Sequence, residues 1–182
     1  GRYCGYLALM SGMATGAERM YIHEHGIHLN DLVEDVEKLN KGFREGKRLG
    51  LVILSEYANP IYKTNFIASL YQEEGGDLFG VRQAVLGHLQ QGGDPSPFDR
   101  IQATRLSARG LDHLIKEAKK GSNEKAMIGL EAGSVRIRSL EDFPRMVDWE
   151  HKRPKNQWWL ELEKIAKILA QGGPQTEVPN DE

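Results

Sequence analysis

Short runs that are apolar at successive positions alternate with segments of helical period along this chain, and that alternation limits the fold more than any other feature. Met20-Tyr21-Ile22 and Gly50-Leu51-Val52-Ile53-Leu54 are too short for helices and lack the two-residue period of half-exposed strands, so they read as strands buried on both faces. Leu32, Val36, Leu39 and Phe43 fall on one helical stripe behind an expected Asn30 cap, and Phe66, Ile67, Leu70 and Tyr71 mark a further helix. Gly5 to Ala17 is apolar almost all round and rich in small residues, which suits a helix packed closely on a sheet. Arg82 to Gly87 is expected as a third strand, followed by a helix opened by Ser96 and running through Leu106, Leu111, Leu114 and Ile115 to Gly121. The pattern predicts an α/β fold, with a parallel sheet covered by helices in three layers.

Beyond Gly121, Ile128 to Ile137 reads as a strand pair, and Pro154 is expected to begin an amphipathic helix carrying Trp158, Trp159, Leu162, Ile165 and Leu169. The paired tryptophans fit a core anchor better than a nucleotide-stacking surface. Residues 171–182 show no periodicity and are expected as a loose tail after a single lobe, 1–170. With 40% hydrophobic and 27% charged residues the chain can build a packed core. A net charge of -2 supplies no field that would draw in nucleic acid, so an anionic ligand must be held by locally placed cations. The single cysteine, Cys4, allows no internal disulfide. No apolar run is long enough to cross a membrane and no signal core follows the first residues, so a cytoplasmic location is expected, with neither membrane nor nucleic acid as partner.

The segment Val85-Leu-Gly-His-Leu-Gln-Gln-Gly-Gly-Asp-Pro-Ser-Pro-Phe-Asp-Arg100 carries the chemistry. Gly92 and Gly93 permit close backbone approach, while Ser96-Pro97-Phe98-Asp99 is a helix start with a capping box. His88 and Gln91 are thereby held between rigid neighbours, facing the crevice where ligands sit in open α/β sheets. Gly1-Arg2-Tyr3-Cys4-Gly5, ahead of an expected helix, reads either as a tight turn or as an anion cradle at a positive helix end. Glu56, just past a strand, is either a solvated loop acid or an acceptor for sugar hydroxyls. Arg82 and His88, six apart on an extended segment, would lie roughly 20 Å apart by strand rise. In the run His23, Glu24, His25 and His28 alternate residues would share a face if extended, but the run reads as a polar strand end rather than a metal site, and no metal is assigned.

Leu86-Gly87-His88-Leu89-Gln90-Gln91-Gly92-Gly93 followed by Pro97-Phe98-Asp99-Arg100 resembles the ATP-dependent 6-phosphofructokinases. Their sugar-phosphate loop reads Leu-Gly-His-x-Gln-Arg-Gly-Gly ahead of a Pro-x-Phe/Tyr-Asp-Arg helix start. The resemblance runs from Gly1 to about Leu169. Gln91 stands where the catalytic loop has arginine, as in the second, regulatory half of the duplicated eukaryotic enzyme, and the ending Glu150-His-Lys-Arg-Pro-Lys-Asn-Gln-Trp-Trp159 is similar to the carboxyl-terminal part of that half in a fungal-type enzyme. Gly1 and Arg2 match the family's Met-Gly-Arg or Met-Gly-Gly sugar-binding segment, where arginine is the catalytic form.

The resemblance implies the sugar-phosphate-binding lobe of the phosphofructokinase fold, with Gly1, Arg2, Glu56, Arg82, His88, Leu89, Gln90, Gln91 and Lys152 lining a site for the allosteric activator fructose 2,6-bisphosphate. Arg82 would reach a neighbouring subunit's site in an oligomer, and either Lys152 or Arg153 would meet a phosphate. The whole enzyme would phosphorylate fructose 6-phosphate with ATP and Mg2+, whereas this stretch carries neither a glycine-rich ATP loop nor an aspartate base, so on its own it is expected to be inactive. Two alternatives stand beside this one. The stretch is a catalytic fructose 6-phosphate lobe that retains Arg2 and tolerates Gln91, or a structural lobe serving subunit assembly without a ligand.

Overall fold

A computed structural model describes residues 2–170; Gly1 and the expected tail, residues 171–182, lie outside the described residues. The described chain forms two compact units, one made of the residues up to Val85 and from Glu150 on, the other of Leu86–Trp149.

The first unit is built on two parallel strands, β1 (Arg19–Tyr21) and β2 (Val52–Leu54), paired Arg19 to Val52, Met20 to Ile53 and Tyr21 to Leu54. Its helices are α1 (Tyr6–Thr15), α2 (Leu29–Arg44) and α3 (Thr64–Gly75). Successive strand residues point to opposite faces, and this splits the core in two. Tyr21 packs with Leu32, Val36 and Leu39 of α2 and Ile67 and Tyr71 of α3. Met20 packs with Leu9 of α1 and with Trp159 and Ala166 near the chain's end. Helices therefore cover both faces, as the continuous apolar runs require. Gly12 is needed here, because a Cβ at that position would overlap the Met20 side chain.

Four local expectations need correction. The cap of α2 is His28, not Asn30, because the Asp31 carboxylate accepts from the His28 amide at 3.0 Å and closes a capping box there. Arg82 to Gly87 forms no strand. The Val81 amide donates to Gln72 Oε1 of α3 at 2.8 Å, residues 82–86 have no strand beside them, and Val85 is 76% exposed. A strand needs a neighbour to satisfy its backbone, and this run has none. Pro154 does not begin the last helix. The backbone at Arg153–Pro154 is extended, as the residue before a proline prefers, and helix starts only with a 3-10 turn over Trp158–Leu162. Of the two tryptophans only Trp159 anchors the core, at 4% exposure, while Trp158 is 56% exposed.

In the second unit Gly87–Gln91 is a 3-10 turn, α4 spans Pro97–Lys120, and β3 (Ala126–Glu131) pairs antiparallel with β4 (Ser134–Ser139). A one-turn helix, α5 (Phe143–Met146), follows; the last helix of the first unit is α6 (Glu163–Leu169). Ser96 and Asp99 form the expected capping box, with Asp99 Oδ2 accepting from the Ser96 amide at 2.9 Å and its hydroxyl at 2.7 Å, and those bonds hold the Asp99 carboxyl below its ordinary range. Gly121 ends α4 in the left-handed region. The hairpin turns through Ala132 and Gly133, both with positive φ, the requirement of a type I′ connection.

A buried polar cluster under the first sheet has no counterpart in the sequence reading. Asp35 lies on the apolar stripe of α2, 2.8 Å from Arg19 Nε, and accepts from the Tyr21 hydroxyl at 2.7 Å; the Tyr21 and Tyr71 hydroxyls are 2.9 Å apart. Burial pushes the Tyr71 phenol up to about 12 and Tyr21 further in the same direction. The stability the Tyr71 phenol contributes is complete below its unfolded value of 10.0 and is lost as pH rises through about 12. Asp35→Ala strips a buried cation of its partner and is expected to cost about 3–5 kcal/mol, against about 1 kcal/mol for Tyr71→Phe. Denaturant unfolding of the two variants checks this ordering.

Candidate functional site

The carboxyl ends of β1 and β2 set the site, because in an open α/β sheet that edge faces the ligand crevice. The Ser55 amide donates to Tyr21 O at 2.8 Å, extending the ladder by one residue and delivering Glu56 and Tyr57 at its end. Past β1 come His23 and Glu24. The loop after Tyr57 is folded by Asn59, whose Oδ1 accepts from the Ile61 and Tyr62 amides at 2.8 and 2.9 Å and whose Nδ2 donates to Ile27 O. It returns the chain so that Lys63 Nζ donates to Glu56 O at 3.2 Å.

Arg2 and Tyr3 cross this edge. Arg2 Nε lies 3.6 Å from Glu56 Oε2, with both side chains exposed, and its guanidinium is 5.7 Å from the centre of the Tyr57 ring. Lys63 Nζ is 5.1 Å from that centre. The Tyr3 ring packs on Tyr57 at 5.0 Å and edge-on to His23 at 5.2 Å. Behind them sits an ion pair that sequence reasoning did not anticipate. The Glu24 side chain, 4% exposed, lies 3.5 Å from Arg153 Nη1, which donates to Tyr3 O at 2.9 Å and is 3.1 Å from His23 Nδ1.

Arg2–Gly5 therefore do not leave the end of α1 open as an anion cradle. The Gly5 amide at the start of α1 donates to both Glu24 oxygens at 2.9 Å, so the positive helix end is matched by the protein's own carboxylate. A Cβ on Gly5 would overlap Ile22 and stand 2.7 Å from Glu24 Oε2, which explains the glycine. The nearby histidines are similarly engaged: His25 Nδ1 is 2.8 Å from Glu163 Oε2, and the His23 and His151 rings pack at 5.1 Å. Arg153 is enclosed at 13% side-chain exposure, whereas Lys152 is exposed with a φ of 52°.

Of the residues singled out in the sequence, Arg2 and Glu56 meet directly. Arg82 and Lys152 are exposed in the same unit. His88, Leu89, Gln90 and Gln91 belong to the second unit, on the exposed turn Gly87–Gln91, which Gly92 closes with a φ of 79°. His88 is on a 3-10 turn rather than at the end of a strand. Tyr3, Tyr57, Lys63 and Glu24 stand beside the candidate site without having been singled out as its residues in the sequence, and Arg153, one of the two cations considered there, proves to be the partner of Glu24. The aromatic directly after Glu56 was the one available signal.

A phosphofructokinase family model matches residues 1–114. The chain belongs to the phosphofructokinase family. It is 41% identical over 180 residues to the platelet-type ATP-dependent 6-phosphofructokinase of Homo sapiens, covering 93% of this chain and 23% of that protein. It is 43% identical over 172 residues to the ATP-dependent 6-phosphofructokinase of Dictyostelium discoideum, covering 93% and 21%. The solved phosphofructokinase of Saccharomyces cerevisiae superimposes with a TM-score of 0.87 at 30% identity, covering 93% of this chain and 24% of that one. The chain thus spans about a quarter of the length of these phosphofructokinases, and its α/β architecture is theirs.

The Glu24–Arg153 pair has a direct test. Arg153→Met leaves a buried carboxylate without its cation and is expected to cost about 3–5 kcal/mol in denaturant unfolding, while Lys152→Met changes stability by less than about 0.5 kcal/mol.

Proposed function

We propose that this chain is part of an ATP-dependent 6-phosphofructokinase and holds the activator fructose 2,6-bisphosphate rather than the substrate. Gln91 carries the reading. An amide in the turn Gly87–Gln91 donates and accepts hydrogen bonds but adds no charge where the family's catalytic loop has a guanidinium. His88, Leu89 and Gln90 present the rest of that turn to the ligand.

Arg2 and Glu56 are the proposed ligand contacts at the strand ends of the first unit. Their 3.6 Å pair holds the carboxylate where it accepts from sugar hydroxyls and the guanidinium where it grips a phosphate oxygen. Lys152, exposed where Arg153 is enclosed, is the phosphate contact near the carboxyl end, as a point charge rather than a fork. Gly1 completes the segment that Arg2 begins, and Arg82 serves the site of a second subunit. Effector binding favours the active arrangement of the whole enzyme, and the coupling is reciprocal: substrate strengthens effector binding by the same factor.

Phosphorylation of fructose 6-phosphate by ATP with Mg2+ is, on this reading, the work of the whole enzyme in glycolysis. Among the described residues no group of three His, Cys, Asp or Glu side chains could hold a metal ion. No helix of the described residues is long and apolar enough to cross a membrane.

In the whole enzyme, His88→Ala is expected to weaken fructose 2,6-bisphosphate binding about tenfold or more in calorimetry while the maximal rate stays near its native value. Loss of the maximal rate with unchanged effector binding would overturn the reading. Arg2 favours the second reading, a catalytic fructose 6-phosphate lobe, under which Gln91→Arg lowers the KM for fructose 6-phosphate sharply instead of altering the activation curve.

A further inference from the structure

Two cations, Arg2 and Lys63, lie within 6 Å of the centre of one ring, Tyr57, at 5.7 and 5.1 Å, and the Glu56 carboxylate is paired to Arg2. The residue pairings around Lys63 do not account for its charge. It occupies the N-cap position of α3, where its side chain makes no capping bond and a positive group faces the positive end of the helix dipole. Its ammonium does not extend into solvent but turns back over the end of β2 to donate to Glu56 O at 3.2 Å. That edge already holds Arg2, which takes the Glu56 carboxylate as its partner, whereas Lys63 meets only the Glu56 main-chain oxygen, so among the described residues the charge of Lys63 is matched by no carboxylate at the place where the sheet offers a ligand crevice.

We propose that Lys63 is a phosphate contact of the sugar-bisphosphate site and that Tyr57 is the positioning residue that carries both Arg2 and Lys63. This rests on the reading of the site given above. A dianionic phosphate supplies the charge that Glu56 alone does not, and Glu56 is then released toward the sugar hydroxyls. The electron-rich face of Tyr57 restrains both long side chains before the ligand arrives, so less of their rotamer freedom is lost on binding. Tyr3, packed on Tyr57 at 5.0 Å, holds the ring itself.

Calorimetric titration of the whole enzyme with fructose 2,6-bisphosphate tests the assignment, with the melting temperature of each variant confirming that it is folded. Lys63→Met is expected to weaken binding about tenfold, the loss of one charge-assisted hydrogen bond, and Lys63→Arg to restore most of it. Tyr57→Phe, which keeps the ring, is expected to bind as the native enzyme does. Tyr57→Leu is expected to weaken binding, and by a smaller factor once Arg2 and Lys63 have both been replaced by Met, since a positioning residue has no effect without the groups it positions. Native affinity in Lys63→Met, alongside a weakened His88→Ala, would sink the Lys63 assignment and leave the proposed site standing. Equal losses from Tyr57→Leu in both backgrounds would remove Tyr57 as the positioning residue. Absence of binding to the native enzyme would overturn the site and the Lys63 contact together.

Discussion

The buried Glu24 carboxylate is the constraint on which the first unit turns. It accepts from the first amide of α1, lies against the guanidinium of Arg153, and sits on the loop that leaves β1. Residues near both ends of the described chain are thereby tied to one strand end. Removing a carboxylate and a guanidinium from water is costly, and the cost is offset only when the remaining hydrogen-bonding positions are filled. Here they are filled: Gly5 serves both oxygens, while Arg153 also reaches Tyr3 O. The consequence is functional as well as structural. Tyr3 is held from behind, Tyr57 packs on Tyr3, and the exposed Arg2 and the half-buried Lys63 are arranged around Tyr57.

Polar groups in this unit divide into those that hold the architecture and those that remain available. Arg19 is ion-paired to Asp35, and Asp35, Tyr21 and Tyr71 are joined by hydrogen bonds beneath the sheet, on the face away from α1. Arg153 and Glu24 do the same beside the strand ends. Arg2, Glu56 and Lys152 are exposed, and it is there that a hydrated anion can exchange water for protein. The contrast between the neighbours Lys152 and Arg153 is instructive: a left-handed φ at Lys152 turns the chain so that the next residue points inward.

The second unit follows a different logic. None of its residues is buried, and Phe98, Ile101, Leu111, Leu114 and Ile115 of α4 are exposed in this chain. Its elements are specified by short-range chemistry: the Ser96–Asp99 box and Pro97 at the start of α4, Gly121 at its end, and the positive φ values of Ala132 and Gly133 in the hairpin. Such signals act over a few residues and need no core, which is why α4 and the hairpin lie close to where the chain pattern places them. The run Arg82 to Gly87 shows the opposite case, since a strand exists only through its neighbour.

The alternation of α1, β1, α2, β2 and α3, the parallel pairing of two continuously apolar runs, the limits of α4 and the family were legible in the residues, because hydrophobic period, capping chemistry and the Leu86–Gly93 loop are local properties of the chain. His88 and Gln91 were legible as candidate site residues from the glycine-rich turn and capped helix around them, whereas Arg2 and Glu56 rose above ordinary loop residues only through the resemblance. Tertiary structure alone decided which charges are enclosed and which are offered. It paired Glu24 with Arg153 across 129 positions, set Asp35 among apolar neighbours, and brought Lys63 and Arg2 to one ring. Partners so distant along the chain are selected by the packing of the sheet, and no periodicity or spacing in the sequence encodes that choice.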